Sequence, residues 1–229
     1  MPYDRRPVPE DTPIEYDEKL GLWLRTKTTD RDIAKEVARE YRGLDVQEGD
    51  VVLDIGSHVG STIKLFRSLG AKKVIGVEPD PYNFAILEKN VGQDKGVILH
   101  ESAVNATGGD LKLYTNPRRS KASHSTADHY PRRQSRWVSG VKFQWLLDTY
   151  RSNKIKIDCE GAEYEMFDSI RGIPAEIKGI VMELHLTRKT WRKKEGPELA
   201  QRLIDEGFEV VKQPRFTVAG WHSIGCWRR

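Results

Sequence analysis

The chain has 229 residues, 38% of them hydrophobic and 31% charged, with a formal net charge of +4. Such a length and balance support one sizeable core and exclude a low-hydrophobicity disordered chain. No run of about 18 uncharged apolar residues occurs, which excludes a membrane-spanning helix. Cys159 and Cys226 lie far apart in a chain with no signal-peptide pattern, so a reducing, cytoplasmic setting is expected rather than a disulfide framework.

Taken in order, residues 1–27 read as a proline-bearing N-terminal arm and a strand, and residues 28–229 as a single domain. DRDIAKEVAREY (30–41) sets Ile33, Val37, Ala38 and Tyr41 on one helical face behind Asp30 as the cap. VVLDIG (51–56) is an apolar run ended by glycine, followed by a helical pattern through Val59, Ile63, Phe66 and Leu69. The unit repeats as KVIGVEPD (73–80), a helix through Phe84, Ile86, Leu87 and Val91, and GVILHESAV (96–104). Strands alternating with helices predict an α/β fold: a mostly parallel, Rossmann-like, seven-stranded sheet with helices on both faces.

DLKLYT (110–115) predicts a short strand, VKFQWLLDTY (141–150) a helix, and NKIKIDCEG and IKGIVMELH the fourth and fifth strands of the sheet. After a last helix, FEVVKQP and GWHSIGCWRR are separated by too few residues for a crossover and predict an antiparallel finish. Positive charge concentrates in a basic insertion at 116–140 and in 188–194, which together carry ten net charges and leave the remainder of the chain at −6.

In an open parallel sheet, ligands bind beyond the carboxyl ends of the strands, here at Asp54-Ile55-Gly56-Ser57-His58-Val59-Gly60. Gly56 removes a Cβ that would block a ligand, and Gly60 lets the next helix begin close beneath it. A dinucleotide fingerprint starting at Gly56 would want glycine at 58 and 61, where the chain has His58 and Ser61. Asp54 would repel a pyrophosphate and is expected to pair with the ammonium of a methionine moiety. Glu78 follows Gly56 by 22 residues, close to the offset at which an acidic side chain grips ribose hydroxyls. These features imply S-adenosylmethionine as cofactor, bound by Asp54, Gly56, Ser57, His58, Gly60, Glu78, Pro79, Ser102, Ala103 and Asp158.

The segments VLDIGSHVG, GVEPD, ESAV, IKIDCEGAE and MELH stand in the order found in FkbM-family methyltransferases, which the chain resembles from about residue 28 to its end. IKIDCEGAE (155–163) is the most family-specific of them. The resemblance implies the class I methyltransferase fold and transfer of a methyl group to a hydroxyl oxygen of a sugar or natural product.

Methyl transfer is an in-line displacement at a sulfonium, so the protein aligns the nucleophile and removes its proton. Asp158, at the tip of the fourth strand, is placed to accept that proton or orient the acceptor, with Glu160 beside it. Glu183 and His185 share a face of the fifth strand, and His185 is a candidate general base. Asp158, Glu160, Glu183 and His185 could alternatively gather Mg²⁺ or Mn²⁺, although no metal is assigned.

The resemblance therefore implies a hydroxylated small molecule or sugar as acceptor, and the basic segments, with Arg132, Arg133, Lys193 and Lys194, suggest an anionic one. Trp137 and Trp191 are candidate stacking platforms, whereas Trp145 is expected in the core. RNA ribose 2′-O-methylation and a non-catalytic binding module are the competing readings.

Overall fold

The computed structural model describes residues 13–26, 28–115, 134–185, 192–214 and 222–229. The chain opens with a hairpin, β1 (Ile14–Asp17) and β2 (Leu22–Arg25), and then helix α1 (Asp30–Glu40). The first repeated unit is β3 (Val51–Ile55), α2 (Ser61–Ser68), β4 (Lys73–Glu78), α3 (Pro81–Val91) and β5 (Val97–Glu101). Four short strands follow: β6 (Ala103–Asn105), β7 (Leu111–Thr115), β8 (Gln134–Val138) and β9 (Gly140–Lys142). The second half contains α4 (Phe143–Tyr150), β10 (Lys154–Ile157), α5 (Glu163–Asp168), β11 (Gly179–His185), α6 (Arg192–Asp205), β12 (Glu209–Lys212) and β13 (His222–Arg228).

The main sheet has seven strands in the order β12-β13-β11-β10-β3-β4-β5. The run from β11 to β5 is parallel throughout, and β13 is antiparallel to both its neighbours. The expected sheet and its antiparallel finish are both present. Strand alternation sends Val52, Val74 and Val181 to one face, where Val37, Ile63, Phe66 and Leu87 from α1, α2 and α3 cover them. Leu53, Ile55, Ile75, Ile155 and Ile180 face the other way, against Phe143, Leu146, Phe167 and Leu203 from α4, α5 and α6. Both faces are sealed, as parallel strands require. Chain order reverses about β3, with β4 and β5 to one side and β10 and β11 to the other, which opens a crevice beyond the tips of β3 and β10.

Several expectations change on folding. Residues 14–25 form a docked hairpin rather than a lone strand: Trp23 N–H donates to Asn90 Oδ1 at 2.7 Å, and Asn90 Nδ2 donates back to the Trp23 carbonyl at 3.0 Å. Asp30 does not cap α1. It is the first helical residue, behind Thr29, and its buried carboxylate is taken by Arg25. The predicted strand 96–104 divides at Ser102: β5 stays in the main sheet, while β6 leaves it and pairs parallel with β9. Trp145 is not a core residue. It is 45% exposed and packs edge-on against His100 and Tyr150, because α4 turns Phe143, Leu146 and Leu147 inward instead. Residues 1–12, most of the basic insertion (116–133, including Arg132 and Arg133) and 186–191 with Trp191 lie outside the described residues, as do the side chains of Lys193 and Lys194. No helix among the described residues is long and apolar enough to cross a membrane.

Candidate functional site

The crevice at the switch point is lined by Gly56, Glu78, Pro79, Ser102, Ala103, Asp158, Cys159 and Glu160, with Ile55, Val77, Val104, Leu113 and Ala162 as its apolar walls. The space between its walls, open solvent included, is about 460 Å³. Of the sequence-predicted cofactor residues, Gly56, Glu78, Pro79, Ser102, Ala103 and Asp158 reach this wall directly.

Gly56 sits where β3 and β10 converge. Its φ is +78°, and a Cβ there would lie 1.8 Å from the carbonyl oxygen of Asp158, so only glycine lets the two strand tips close on each other. Gly60, at φ +92°, lets α2 start against Leu87 and Val91 of α3. Ser57 is a brace rather than a wall: its hydroxyl donates to the Asp54 carbonyl at 2.9 Å and accepts from Val77 N–H at 3.1 Å. His58 adopts a left-handed φ of 50° and donates its N–H to Glu78 Oε2 at 2.9 Å. Asp80 N–H and Asn83 Nδ2 donate to the other oxygen, Glu78 Oε1, at 3.0 and 3.1 Å. Glu78 thus lines the crevice as a carboxylate fixed by three donors.

Asp54 lies elsewhere than expected. Its side chain is fully buried on the α1 face of the sheet, 3.2 Å from Lys156 Nζ, and it accepts a short hydrogen bond from Thr62 Oγ1. Register explains the pairing, since Lys156 stands directly beside Asp54 on adjacent parallel strands. Its carboxylate thus lies inside the protein and not on the crevice wall. Lys156 Nζ also donates to the carbonyls of Ile55 and Gly56 at 3.2 and 2.6 Å, which ties the buried pair to the loop.

The acceptor-side residues gather on the same face of the sheet. Tyr41, the C-terminal cap of α1, donates its hydroxyl to Asp158 Oδ2 at 3.0 Å and lies 3.5 Å from Glu183 Oε2. The other oxygens turn toward His185, whose Nε2 is 3.8 Å from Asp158 Oδ1, 3.7 Å from Glu160 Oε2 and 3.8 Å from Glu183 Oε1. On its far side His185 Nδ1 is 3.3 Å from Glu163 Oε1, a fully buried carboxylate that also accepts the His185 N–H at 2.8 Å. Asp158, Glu160, Glu183 and His185 are therefore brought together, as the sequence suggested. Tyr41, Lys156 and Glu163 complete the cluster and were missed. A lysine alternating with isoleucine on an interior strand was the one available signal.

The electrostatics divide the carboxylates. Burial works against the Asp158 anion, yet Lys156, His185 and the Tyr41 hydroxyl hold its pKa below the ordinary value. Burial, reinforced by the neighbouring Asp158 charge, pushes Glu183 up to about 8. His185 also loses hydration on burial, but Glu163, Glu160 and Glu183 raise it well above an ordinary histidine. Burial and Glu163 raise the Cys159 thiol, which keeps it protonated and unreactive.

Glu183 carries a stability consequence. Its folded pKa of about 8 exceeds the ordinary 4.5 of a glutamate, so its contribution is complete below the unfolded value and is lost as pH rises toward 8. Glu183→Gln removes that loss. Melting temperatures of the two proteins are expected to diverge in favour of the variant by about 2–4 °C or more between acidic and mildly alkaline pH. A constant difference across that range would contradict the assignment.

The family model for the FkbM methyltransferase domain matches residues 54–210. The hexuronic acid methyltransferase AglP of Haloferax volcanii is 21% identical over 177 residues, covering 74% of this chain and 73% of the relative. Among solved structures, the precorrin-6y C5,15-methyltransferase of Geobacter metallireducens is similar with a TM-score of 0.49 and 13% identity, over 90% of this chain and 92% of that one. The magnesium protoporphyrin IX methyltransferase of Synechocystis PCC 6803, solved with S-adenosylmethionine bound, gives a TM-score of 0.45 and 12% identity over 87% and 77%. With its Rossmann-like sheet, the glycine bend at Gly56 and the fixed Glu78 carboxylate, the chain belongs to the FkbM methyltransferase family and is an S-adenosylmethionine-dependent methyltransferase.

Proposed function

We propose that this methyltransferase transfers its methyl group to a hydroxyl oxygen of a sugar-like acceptor, with Asp158 as the group that takes the proton. The observation that carries the reading is the Asp158 carboxylate, kept ionised at the crevice wall by Lys156 and His185 while a tyrosine hydroxyl fixes one of its oxygens. The bound cofactor supplies an electrophilic methyl on a sulfonium. The chain supplies a carboxylate to hold the acceptor hydroxyl and receive its proton, so that the oxygen attacks in line. His185 enters differently from the general base first expected: with its pKa raised, the ring rests as a cation that steadies Asp158 and Glu160. Glu183, with a pKa of about 8, rests protonated.

The proposed cofactor contacts are Glu78 to the ribose hydroxyls, Pro79, Ser102 and Ala103 along the nucleoside, and the backbone at Gly56 beside the methionine moiety. Ser57, His58 and Gly60 shape the loop. Likeness to a hexuronic acid methyltransferase supports a sugar-like and acidic acceptor, in keeping with the chain's basic segments. Two reduced cysteines fit a cytoplasmic setting.

Transfer from methyl-labelled S-adenosylmethionine to a panel of neutral sugars, uronic acids and RNA oligonucleotides tests the reading. Label is expected on sugars. Label on RNA alone would move the assignment to ribose methylation of nucleic acid. Ligand atoms of Asp158, Glu183 and His185 lie within 4.8 Å of one another, so the panel is run with and without a chelator. Unchanged turnover is expected, whereas loss restored by Mg²⁺ or Mn²⁺ would assign the cluster to an ion.

A further inference from the structure

Tyr41 caps the C-terminus of α1 and precedes the span matched by the family model. It is buried, and its ring lies over the Lys156 ammonium, with Nζ 5.2 Å from the centroid. The hydroxyl sits between two carboxyl groups: it donates to Asp158 Oδ2 at 3.0 Å and lies 3.5 Å from Glu183 Oε2. Asp158 lines the crevice, so the first of these contacts reaches the wall itself, while the second leads back to β11.

A phenol carries one proton, and its oxygen can accept as well as donate. That proton is directed at Asp158, the nearer partner. The Glu183 contact is therefore attractive only when Glu183 holds a proton of its own and donates it to the phenol oxygen. Burial and the Asp158 charge supply that state by raising Glu183 to about 8. Burial and the same two carboxyl groups raise the Tyr41 phenol well above its ordinary value, which keeps its proton in place. The three groups form a chain with one direction, from Glu183 through Tyr41 to Asp158. At its end Asp158 Oδ2 is turned inward, 4.0 Å from Lys156 Nζ, while Oδ1 turns toward His185 Nε2 at 3.8 Å.

We propose that Tyr41 is a positioning residue for methyl transfer and that Glu183 acts through it: their donor chain engages Asp158 Oδ2, so that Oδ1 is the oxygen that meets the acceptor hydroxyl and takes its proton. The proposal rests on the reading of Asp158 as the proton acceptor and adds how that carboxylate is aimed. A carboxylate pinned at one oxygen offers the other at a fixed angle, which is what in-line attack on the methyl requires of the group that holds the nucleophile.

Tyr41→Phe keeps the ring over Lys156 and removes only the hydroxyl. With the best acceptor of the labelling panel, kcat is expected to fall about 10- to 100-fold, the range of a hydrogen bond to a charged group, with affinity for S-adenosylhomocysteine retained. Besides Tyr41, the titratable groups around Asp158 are Lys156 on β10, His58 on the cofactor loop, Cys159 and Glu160 in the turn that follows, and Glu183 and His185 on β11. Of the donors that hold the Asp158 pKa down only the phenol is lost, so the acid limb of kcat/KM is expected to move to higher pH. Glu183→Gln, whose amide can still donate to the phenol, is expected to turn over about fivefold faster than Glu183→Leu or better. In an Asp158→Asn background, Tyr41→Phe is expected to cost no more than about twofold, because the chain then has no base to aim. Parent-like turnover by Tyr41→Phe, an acid limb that stays in place, or an equal cost in both backgrounds would overturn the proposal and leave Tyr41 as packing. Parent-like turnover by Asp158→Asn would instead overturn the reading of Asp158 on which the proposal rests.

Discussion

Asp158→Asn lowers kcat by about 10³-fold, within the range by which removal of a general base slows proton transfer, and leaves affinity for S-adenosylhomocysteine unchanged. The substitution keeps the shape of the side chain and its contact with the Tyr41 hydroxyl, which bonds Oδ2 at 3.0 Å. What it removes is the negative charge that Lys156 and His185 hold ionised against the cost of burial. A neutral amide cannot take a proton from an attacking hydroxyl, so the chemical step slows while the crevice stays intact. Single-turnover rates under saturating cofactor separate that step from binding. A variant with unimpaired single-turnover chemistry would remove Asp158 from the mechanism. One that lost cofactor affinity in proportion to rate would make it a cofactor ligand instead.

Gly56→Ala is expected to be more disruptive still, because it acts on the backbone that joins the two halves of the sheet. The added methyl would fall 1.8 Å from the Asp158 carbonyl oxygen at a φ of +78°. Neither atom belongs to a flexible side chain, so relief requires β3 and β10 to part. Asp158 N–H bonds the Ile55 carbonyl at 3.0 Å across these two strand tips, and separation breaks that bond. A loss of about 3 kcal/mol or more is expected, together with loss of binding to S-adenosylhomocysteine. Gly49→Ala provides the control. Its φ of +91° is similar, but nothing lies within 4 Å of a Cβ there, so only the left-handed conformational cost of about 1–2 kcal/mol applies. If the two variants melted together, the close approach of the strand tips would not be what Gly56 is for.

The alternation of strands and helices made the sheet legible from the sequence, because each apolar run had to be covered on both faces. The glycine bend and Glu78 were legible for a related reason, since their spacing follows from the geometry of one strand-loop-helix unit. Asp54 was placed at the ligand because it precedes the glycine, yet strand parity carries it to the same face as buried Val52, and the partner waiting there, Lys156, lies about a hundred residues away. Tyr41 was invisible for the same reason. Periodicity puts Tyr41 on the inward face of α1, but only the packed fold sets its hydroxyl on Asp158. Pairing between distant segments also accounts for the division of 96–104, since β9, the partner that draws β6 from the sheet, comes from the far end of the basic insertion.

The central claim, that an ionised Asp158 delivers a sugar hydroxyl to the cofactor's methyl group, is tested most directly by the atom that receives the methyl. Reaction with methyl-¹³C-labelled S-adenosylmethionine and the best acceptor of the panel, followed by heteronuclear correlation spectroscopy of the product, identifies it. The account predicts an O-methyl ether, formed by the parent protein and about 10³-fold more slowly by Asp158→Asn. A methyl on nitrogen, or a carboxylate methyl ester formed equally well by the variant, would contradict it.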